Sequence, residues 1–430
     1  MTRTGAGIVH VDLSTLPRDG ATVASGHRAF VVVWWRDVPL GSFVLGPEEQ
    51  PLTPAALLER AAVATAPAVG HWLVGGGFEA SAADIPLAPR GVPAELPLGQ
   101  PLAQLADATR SAPFAGSLGV IVCTRDRPDA LARCLDAIAA SQRPADVVLV
   151  VDNAPGSSAT REIVAARGGV RYLLEPEPGL SRARNAGLRE CRTDIVAFTD
   201  DDVLVHPAWT TCLAGALVER DIVAMTGLVL PASLDGEAEW MFETTFGGFS
   251  QGYRPFDAGR PFLEATRGIG VPVWRLGAGA NMAFRREDLL EAGGFDERLG
   301  AGASGCSEDS EAWYRILARG RTIRYDPRAV VFHAHRGDLE SLRRQMYLYM
   351  RGHVAALFVQ FERHGHWGNL RRLALTLPRY YAGRLLRARG AHTAGTLGAE
   401  MRGAAAGIGY YLQHRGDPRS TRLMGSTTAS

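Results

Sequence analysis

The chain has 430 residues, of which 46% are hydrophobic and 21% are charged, and its formal net charge is +1. These values predict a globular protein with a sizeable core and more than one domain. The sequence contains no lysine, so all 46 basic residues are arginines. A P-loop nucleotide site and a Schiff-base mechanism both need a lysine amine, so both are excluded.

No stretch approaches the roughly 18 uninterrupted apolar residues of a membrane span, and the opening residues lack the apolar block of a signal peptide. A cytoplasmic location is therefore expected. The five cysteines are scattered without CxxC pairs. This pattern argues against a zinc site and against a secreted disulfide framework.

Residues 1–85 are predicted to form a small α+β unit of unknown role. Two apolar runs separated by a turn between residues 30 and 45 indicate a β-hairpin. A helix is predicted to follow, with Thr53 as its candidate N-cap. Repeated prolines then mark residues 86–116 as a semi-rigid linker.

From Ser117 onward, short apolar runs alternate with helical stretches. Strands are predicted at 118–123, 147–151, 170–174 and 195–199, and helices are predicted to begin near 128, 157 and 179. This rhythm predicts an α/β domain over residues 117–340, with a doubly wound, mostly parallel sheet and flanking helices. Polar residues follow three of the strands, so we expect them to converge on one cleft.

Three consecutive carboxylates, Asp200, Asp201 and Asp202, close the fourth predicted strand. Like charges packed together repel, and oxygen ligands of this kind suit Mg²⁺ or Mn²⁺. The alternative is an acidic turn on a solvated loop. The convergence of several polar strand ends on one edge favours the metal site.

Two further clusters lie downstream. Glu308 and Asp309 open a predicted helix that Ser307 can cap, so these acids either complement the helix dipole or supply a general base. His333 and His335 end another apolar run, and we expect at most one of them to reach the cleft. A neutral imidazole is a plausible partner for carboxylates around Mn²⁺.

Two segments are candidates for contacts with phosphate or sugar. Arg182 and Arg184 begin a predicted helix, where they either bind a diphosphate in bidentate fashion or are solvated. The glycine-rich segment 277–282 does not match GxGxxG, and it is expected to let the backbone approach a sugar.

Taken in order, these segments resemble the family 2 glycosyltransferases of GT-A fold. The matching segments, spread over roughly residues 117–340, are 123–128, 150–153, 183–187, 199–202, 279–282, 293–297, 308–309 and His333. Each motif is weak alone, and their order carries the signal. The resemblance implies an inverting, metal-dependent hexosyltransferase that moves a sugar from a nucleoside diphosphate sugar to an acceptor hydroxyl. The acceptor would be a glycan, a lipid-linked molecule or a small molecule, in polysaccharide, glycolipid or cell-surface glycan synthesis.

The resemblance also implies a role for each matching residue. The donor nucleotide would contact Thr124, Arg125, Asp152, Asn153, Arg184, Asp200 and Asp201. The metal, Mn²⁺ or Mg²⁺, would be held by Asp202, Asp200 and His333, with His335 as the fallback. Asp309 matches the catalytic base, and the acceptor or sugar loop would comprise Gly279, Ala280, Asn281, Glu308 and Trp313. Ser307 stands where many relatives have glycine.

Residues 341–416 are predicted to be helical. The segment from Arg336 to Arg422 contains 15 arginines but five acidic residues. An amphipathic, arginine-rich helix here lies either on the inner face of the cell membrane, against anionic lipid, or on the catalytic domain beside the acceptor cleft. Aromatic interleaving and known binding motifs are missing, so no nucleic acid partner is expected. Residues 417–430 are predicted to be disordered.

Two alternative functions are less favoured. A catalytically silent sugar-nucleotide-binding or assembly protein would not need both the metal aspartates and the candidate base intact. A metal-dependent phosphohydrolase would need a nucleophilic arrangement such as DxDx[TV], which the segment 199–202 lacks.

Overall fold

A computed structural model describes residues 7–15, 27–75, 114–387 and 391–417. The predicted linker lies outside these described residues except for 114–116, and so does the predicted tail except for Asp417.

The described strands form two sheets. The N-terminal sheet contains β1 (Gly7–Asp12), β2 (Ala29–Trp35) and β3 (Val38–Leu45). The central sheet contains β4 (Leu118–Thr124), β5 (Val147–Asn153), β6 (Val170–Glu175), β7 (Ile195–Asp200), β8 (Val203–Val205), β9 (Ile222–Pro231), β10 (Phe256–Ala258), β11 (Asn281–Arg285) and β12 (Thr322–His333).

The helices follow the strands in the predicted rhythm. Those up to the end of the central sheet are α1 (Pro54–Gly75), α2 (Pro128–Ala139), α3 (Ala159–Ala165), α4 (Leu180–Glu190), α5 (Trp209–Ala216), α6 (Glu237–Thr245), α7 (Arg260–Thr266), α8 (Arg286–Glu291) and α9 (Glu308–Ala318). The C-terminal region contains α10 (Leu339–His364), α11 (Gly368–Arg371), α12 (Leu377–Arg387) and α13 (Ala391–His414), with a π-helical stretch at Arg372–Thr376 before α12.

The central sheet has the strand order β10-β12-β9-β11-β7-β4-β5-β6, and β8 pairs with β12. Strand β11 is antiparallel to both β7 and β9, while β7, β4, β5 and β6 are parallel to one another and β9 is parallel to β12. Most strands therefore share one direction. The predicted mostly parallel sheet is confirmed, and each of the four predicted strands is observed.

Both faces of the central sheet are covered by helices. Because side chains alternate along a strand, Ile121 and Val122 of β4 point into different cores. The first core includes Phe198 and residues of α4 and α9, and the second includes Trp209 of α5 and residues of α2. This three-layer packing leaves the carboxyl ends of the parallel strands free to form a site.

The N-terminal sheet is packed between α1 and the central sheet. Val31 and Val33 of β2 join a core with Leu57 of α1, whereas Val32 and Trp34 join one with Leu228 and Val330 of the central sheet. Strand β2 is thus covered on both faces, which explains why its sequence is an uninterrupted apolar run.

The predicted hairpin is confirmed, and its turn is short. Trp35 pairs with Val38, so Arg36 and Asp37 alone form the turn. The predicted cap at the start of α1 is also observed, since the Ala56 amide donates to Thr53 Oγ1 at 3.3 Å.

The long basic helix α10 packs on the rest of the protein. Ala355 and Val359 join a small core with Leu299, and helix α13 covers another side of α10. Two of its arginines bond within the protein: Arg351 Nε donates to the Ser304 carbonyl at 2.6 Å, and Arg363 donates to Asp296 at 2.7 Å. In the described part of the chain, no helix is long and apolar enough to cross a membrane.

Candidate active site

The predicted convergence of strand ends is observed at the carboxyl edge of the parallel strands. In register, Cys123 of β4 lies beside Asp200 of β7, and Thr124 lies beside Asp152 of β5. The polar residues that follow these strands therefore share one edge of the sheet.

The candidate metal group consists of Asp200, Asp202 and His333. The chain turns after Asp200 and enters the short strand β8, which pairs with the end of β12 so that Val203 faces His333. This pairing brings the histidine to the aspartates: His333 Nε2 lies 3.4 Å from Asp202 Oδ1. One potential ligand atom from each of the three residues lies within 4.8 Å of the others.

The donor set of this group fits a divalent cation. Burial lowers the pKa of His333, against the opposing effect of Asp202 and Asp200, so the ring is neutral at neutral pH and able to ligate. Its Nδ1 atom is buried and has no hydrogen-bond partner among the described residues. Two carboxylates and an imidazole suit Mn²⁺, and carboxylates with water suit Mg²⁺.

The two histidines, of which at most one was expected to reach the cleft, are distinguished by their partners. Their rings lie 5.6 Å apart, on the same side, as residues i and i+2 of an extended segment do. The difference lies in their partners, because His335 Nε2 is 3.1 Å from Glu243 Oε2 in a buried pair. His335 is thus committed elsewhere, while His333 faces the aspartates.

Asp201 points into the protein. It accepts a hydrogen bond from Thr124 Oγ1 at 2.7 Å and one from Arg127 Nη1 at 3.1 Å. Burial, followed by the charge of Asp202, raises the pKa of Asp201 to about 6. Thr124 and Asp201 therefore bond to each other, and the structure does not place them as free donor contacts.

Arg127 is a residue of this site to which the sequence motifs assigned no role. Its Nη1 also donates to Asp202 Oδ2 at 2.8 Å, so one nitrogen bridges two carboxylates. Its position in the segment 123–128, between the end of β4 and the start of α2, was the available signal.

On the side of the site where the nucleotide donor is expected, Asp152 is buried, and one of its two carboxylate oxygens has a hydrogen-bond partner. Its Oδ2 accepts a hydrogen bond from the Tyr172 hydroxyl at 2.9 Å, whereas its Oδ1 has no partner among the described residues. Burial raises the pKa of this carboxyl group. Nearby in sequence, Arg125 is open to solvent, with 54% of its side chain exposed.

The placement of Asn153 differs from the expectation that it contacts the nucleotide. Its side-chain nitrogen donates to the Glu177 carbonyl at 2.7 Å, and its oxygen accepts from the Gly179 amide at 2.8 Å. Both polar groups of the Asn153 side chain thus form hydrogen bonds that hold the loop before α4.

Arg184 is the centre of a buried network. Its guanidinium donates to Glu308 Oε1 at 2.6 Å, to Asp200 Oδ1 at 3.2 Å and to the Gly279 carbonyl at 3.2 Å. The solvated alternative is excluded, because only 2% of this side chain is exposed. The side chain thus links the aspartate group to α9.

The acids at the start of α9 are observed where the sequence predicts them. Asp309 is half-buried and accepts the Ser310 amide at 2.6 Å, and burial raises its pKa even though Arg184 opposes the shift. Glu308 is buried, and burial raises its pKa to about 7. The predicted capping by Ser307 is wrong: Ser307 has φ of 74°, and its side chain makes no cap hydrogen bond.

Within the glycine-rich part of the predicted sugar loop, Gly279 lies at the site. A Cβ on Gly279 would lie 2.9 Å from Asp309 Oδ2, so the backbone approaches the acid closely. Asn281 is fully buried and bonds to Leu228, Ala329 and Trp209, while the Ala280 carbonyl accepts from Thr199.

Trp313 was expected to belong to the acceptor or sugar loop. The side chain is fully buried in the core between α9 and the central sheet. It lies one turn beyond Asp309, on the face of α9 that packs inward.

The sequence of residues 119–289 matches the model of glycosyl transferase family 2. This match agrees with the resemblance of the ordered motifs to that family. The match ends before Asp309 and His333.

Several curated glycosyltransferases are similar to the chain. A pre-mycofactocin glycosyltransferase of Mycobacterium tuberculosis is 28% identical over 233 residues, which cover 54% of this chain and 45% of the relative. Succinoglycan biosynthesis protein ExoM of Rhizobium meliloti is 29% identical over 222 residues, which cover 49% of this chain and 64% of the relative. The chain spans about half the length of the curated relatives it matches.

Among solved structures, a mannosyltransferase from Pyrobaculum calidifontis in complex with GDP-Man and Mn²⁺ aligns with a TM-score of 0.45 at 19% identity, covering 74% of this chain and 96% of that chain. Glucosyl-3-phosphoglycerate synthase from Mycobacterium tuberculosis in complex with Mg²⁺ and UDP aligns with a TM-score of 0.41 at 19% identity, covering 61% of this chain and 83% of that chain.

Proposed function

We propose that the chain is an inverting, metal-dependent hexosyltransferase that moves a sugar from a nucleoside diphosphate sugar to an acceptor hydroxyl. The observation that carries this proposal is the position of Arg184. This one buried side chain contacts Asp200 of the candidate metal group and Gly279, whose backbone approaches Asp309. A metal group and a candidate base are thus held at a fixed separation in one network.

The chemistry follows from the parts of this network. A Mn²⁺ or Mg²⁺ ion held by Asp200, Asp202 and His333 would stabilise the charge that develops on the departing diphosphate. Asp309 accepts the proton of the acceptor hydroxyl, and its raised pKa suits a general base. A single base with no carboxylate nucleophile gives one displacement, and therefore inversion at the anomeric carbon.

Two residues support the donor end of the proposal. The unpartnered Oδ1 of Asp152 is a buried acceptor for an N–H group of the nucleobase, because a buried oxygen left without a hydrogen bond is costly. The exposed guanidinium of Arg125 is available to the diphosphate. Glu308 lies next to the base and serves as a neighbour of the acceptor.

The test is nucleoside diphosphate release from a panel of UDP- and GDP-sugars with Mn²⁺ or Mg²⁺. We expect Asp309→Asn to lower kcat by about 10²–10⁴ while Mn²⁺ binding is retained. The exposed Asp129→Asn on α2 is the matched control and should keep wild-type turnover. The configuration of the product, read by NMR, should be opposite to that of the donor.

Two results would count against this proposal. Equal turnover in wild type and Asp309→Asn would remove Asp309 as the base, and a retained configuration would remove the single displacement. Tight nucleotide binding by calorimetry without transfer to any acceptor would favour the catalytically silent binding protein. The acceptor is sought first among glycans and lipid-linked saccharides, because one relative is named for succinoglycan biosynthesis.

Peripheral contact with an anionic membrane, at the inner face of the cell membrane, is assigned to α12 and the π-helical stretch before it. Leu375, Ala382 and Leu386 are exposed and recur at i, i+7 and i+11, on one helical face that also carries exposed Arg379. Leu386 is 89% exposed. Because Arg351 and Arg363 of α10 bond within the protein, this face is the better candidate.

Co-sedimentation with phosphatidylserine-containing liposomes tests this assignment. Leu386→Glu and Arg379→Gln should each reduce the bound fraction. Val63→Glu, which alters an exposed apolar residue of α1, should not reduce it. Equal binding by all of these variants would place the membrane contact elsewhere.

A further inference from the structure

Arg127 contacts the candidate metal group, and it has no role in the proposed transfer reaction. It directly precedes α2, and 41% of its side chain is exposed. Its Nη1 lies 2.8 Å from Asp202 Oδ2 and 3.1 Å from Asp201 Oδ1. The guanidinium therefore shares a carboxylate with the group that would hold a divalent cation.

The two oxygens of Asp202 face different neighbours. Oδ1 faces His333, at 3.4 Å from Nε2, and Oδ2 faces Arg127. A divalent cation held by Asp202 would share this side chain with a fixed positive charge, and the two cations would repel each other. The site thus contains an element that opposes metal binding as well as three residues that favour it.

We propose that Arg127 is a resident counter-cation that makes divalent-metal binding depend on the nucleoside diphosphate. This inference rests on the proposed function. Without a donor, Arg127 neutralises Asp201 and Asp202 and lowers the affinity of the site for the free ion. A nucleoside diphosphate brings negative charge that offsets the repulsion, and its oxygens are suitable partners for the exposed part of the guanidinium.

Reciprocity follows from this arrangement. If the diphosphate strengthens metal binding, the metal must strengthen diphosphate binding by the same factor. Arg127 is therefore a positioning residue whose effect is measured as a coupling between two ligands.

The experiment measures Mn²⁺ affinity of the full chain from the EPR signal of free Mn²⁺, alone and with UDP or GDP. Wild type should bind Mn²⁺ weakly alone and more tightly with at least one diphosphate. Arg127→Gln should bind Mn²⁺ alone about tenfold more tightly, a gain of about 1.4 kcal/mol, and should gain less from the diphosphate. Arg133→Gln is the matched control, because it removes an exposed arginine of the same helix and should leave both affinities unchanged.

Arg127→Lys adds a second comparison, since it keeps the positive charge and should keep the weak affinity for Mn²⁺ alone. Thermal unfolding checks the fold of each variant, and Arg127→Met replaces Arg127→Gln if the latter fails to fold. A neutral, folded variant that binds Mn²⁺ alone no more tightly than wild type overturns the inference. A wild type that binds no Mn²⁺ with or without a diphosphate instead overturns the metal-dependent function, so the two failures are distinguishable.

Discussion

Arg184 Nη1 and Glu308 Oε1 form an ion pair of 2.6 Å in which the two side chains are 2% and 7% exposed. The pair joins α4, which follows the third strand of the parallel block, to α9, which carries the candidate base. Burial raises the pKa of Glu308 to about 7 in spite of the adjacent arginine. The charge state of the pair therefore matters near neutral pH.

Replacing this arginine should be costly. Arg184→Met leaves Glu308 buried without its partner, and we expect a loss of about 3–5 kcal/mol in the free energy of unfolding at pH 8. The loss should be smaller at pH 6, because protonation of Glu308 removes the unpaired charge. Urea unfolding measures both values, and the double variant Arg184→Met with Glu308→Gln should recover part of the loss. A loss that is the same at both pH values would contradict this account.

The two neighbouring histidines should respond differently to substitution. His333→Ala should weaken Mn²⁺ binding in the presence of diphosphate at least about tenfold, which is about 1.4 kcal/mol. His335→Ala should leave Mn²⁺ affinity unchanged and should lower stability by about 1–3 kcal/mol, because Glu243 loses a buried partner. EPR and urea unfolding separate the two effects. Equal Mn²⁺ affinity in the two variants would remove His333 from the metal group.

Ser307 has a backbone conformation that favours glycine. Its φ of 74° lies in the left-handed region, where a side chain costs about 1–2 kcal/mol. Glycine also loses about 0.5–1 kcal/mol of chain entropy on folding, so Ser307→Gly should stabilise by about 0.5–1 kcal/mol. Ser307→Ala loses the same hydroxyl but keeps the Cβ, and it should not stabilise. Urea unfolding of both variants decides whether the backbone or the hydroxyl matters.

Asp296 should contribute stability that is lost in acid. Burial by itself would raise its pKa, but Arg298 and Arg363, at 2.8 Å and 2.7 Å, outweigh this effect and lower it. Because the pKa of Asp296 is lower in the folded protein than in the unfolded chain, its carboxylate stabilises the folded protein at pH values above the unfolded-state pKa of about 3.9. This stabilisation is lost as the pH falls below that value. Asp296→Asn should therefore cost about 3 kcal/mol at pH 7 and distinctly less at pH 3.

A control with an exposed acid isolates the contribution of Asp296. Asp136→Asn, whose side chain is 69% exposed in the wild type, should change stability little at either pH. A loss of stability in Asp296→Asn that stays constant between pH 7 and pH 3 would contradict the lowered pKa of Asp296.

Strand positions and their order were predictable because the relevant signals are local. Apolar runs of five or six residues with polar ends gave four strands, and parallel strands necessarily bring their ends to one edge. For the same reason, Asp200, Asp202 and Asp309 could be singled out before their neighbours were known. The placement of His333 depends instead on a distant pairing, because β8, directly after the aspartates, pairs with the end of β12 much further along the chain.

Side-chain partners were much less predictable. Asn153, Asn281 and Trp313 have residue types suited to ligand contacts, yet their side chains face inward and bond or pack within the protein. Arg127 and Arg184 are both arginines near the site, and only their surroundings show that one is partly exposed and the other fully buried. Such differences depend on distant segments, which a motif does not specify.

Strand β2 limits how far the chain can be shortened from its N-terminal side. One of its faces covers Leu228 and Val330, which belong to the central sheet more than 180 residues further along the chain. A fragment that begins at the linker would bare this apolar surface to water, and such surfaces promote aggregation. Recombinant production of the protein should therefore begin upstream of β1, even though the match to the family model begins only at residue 119.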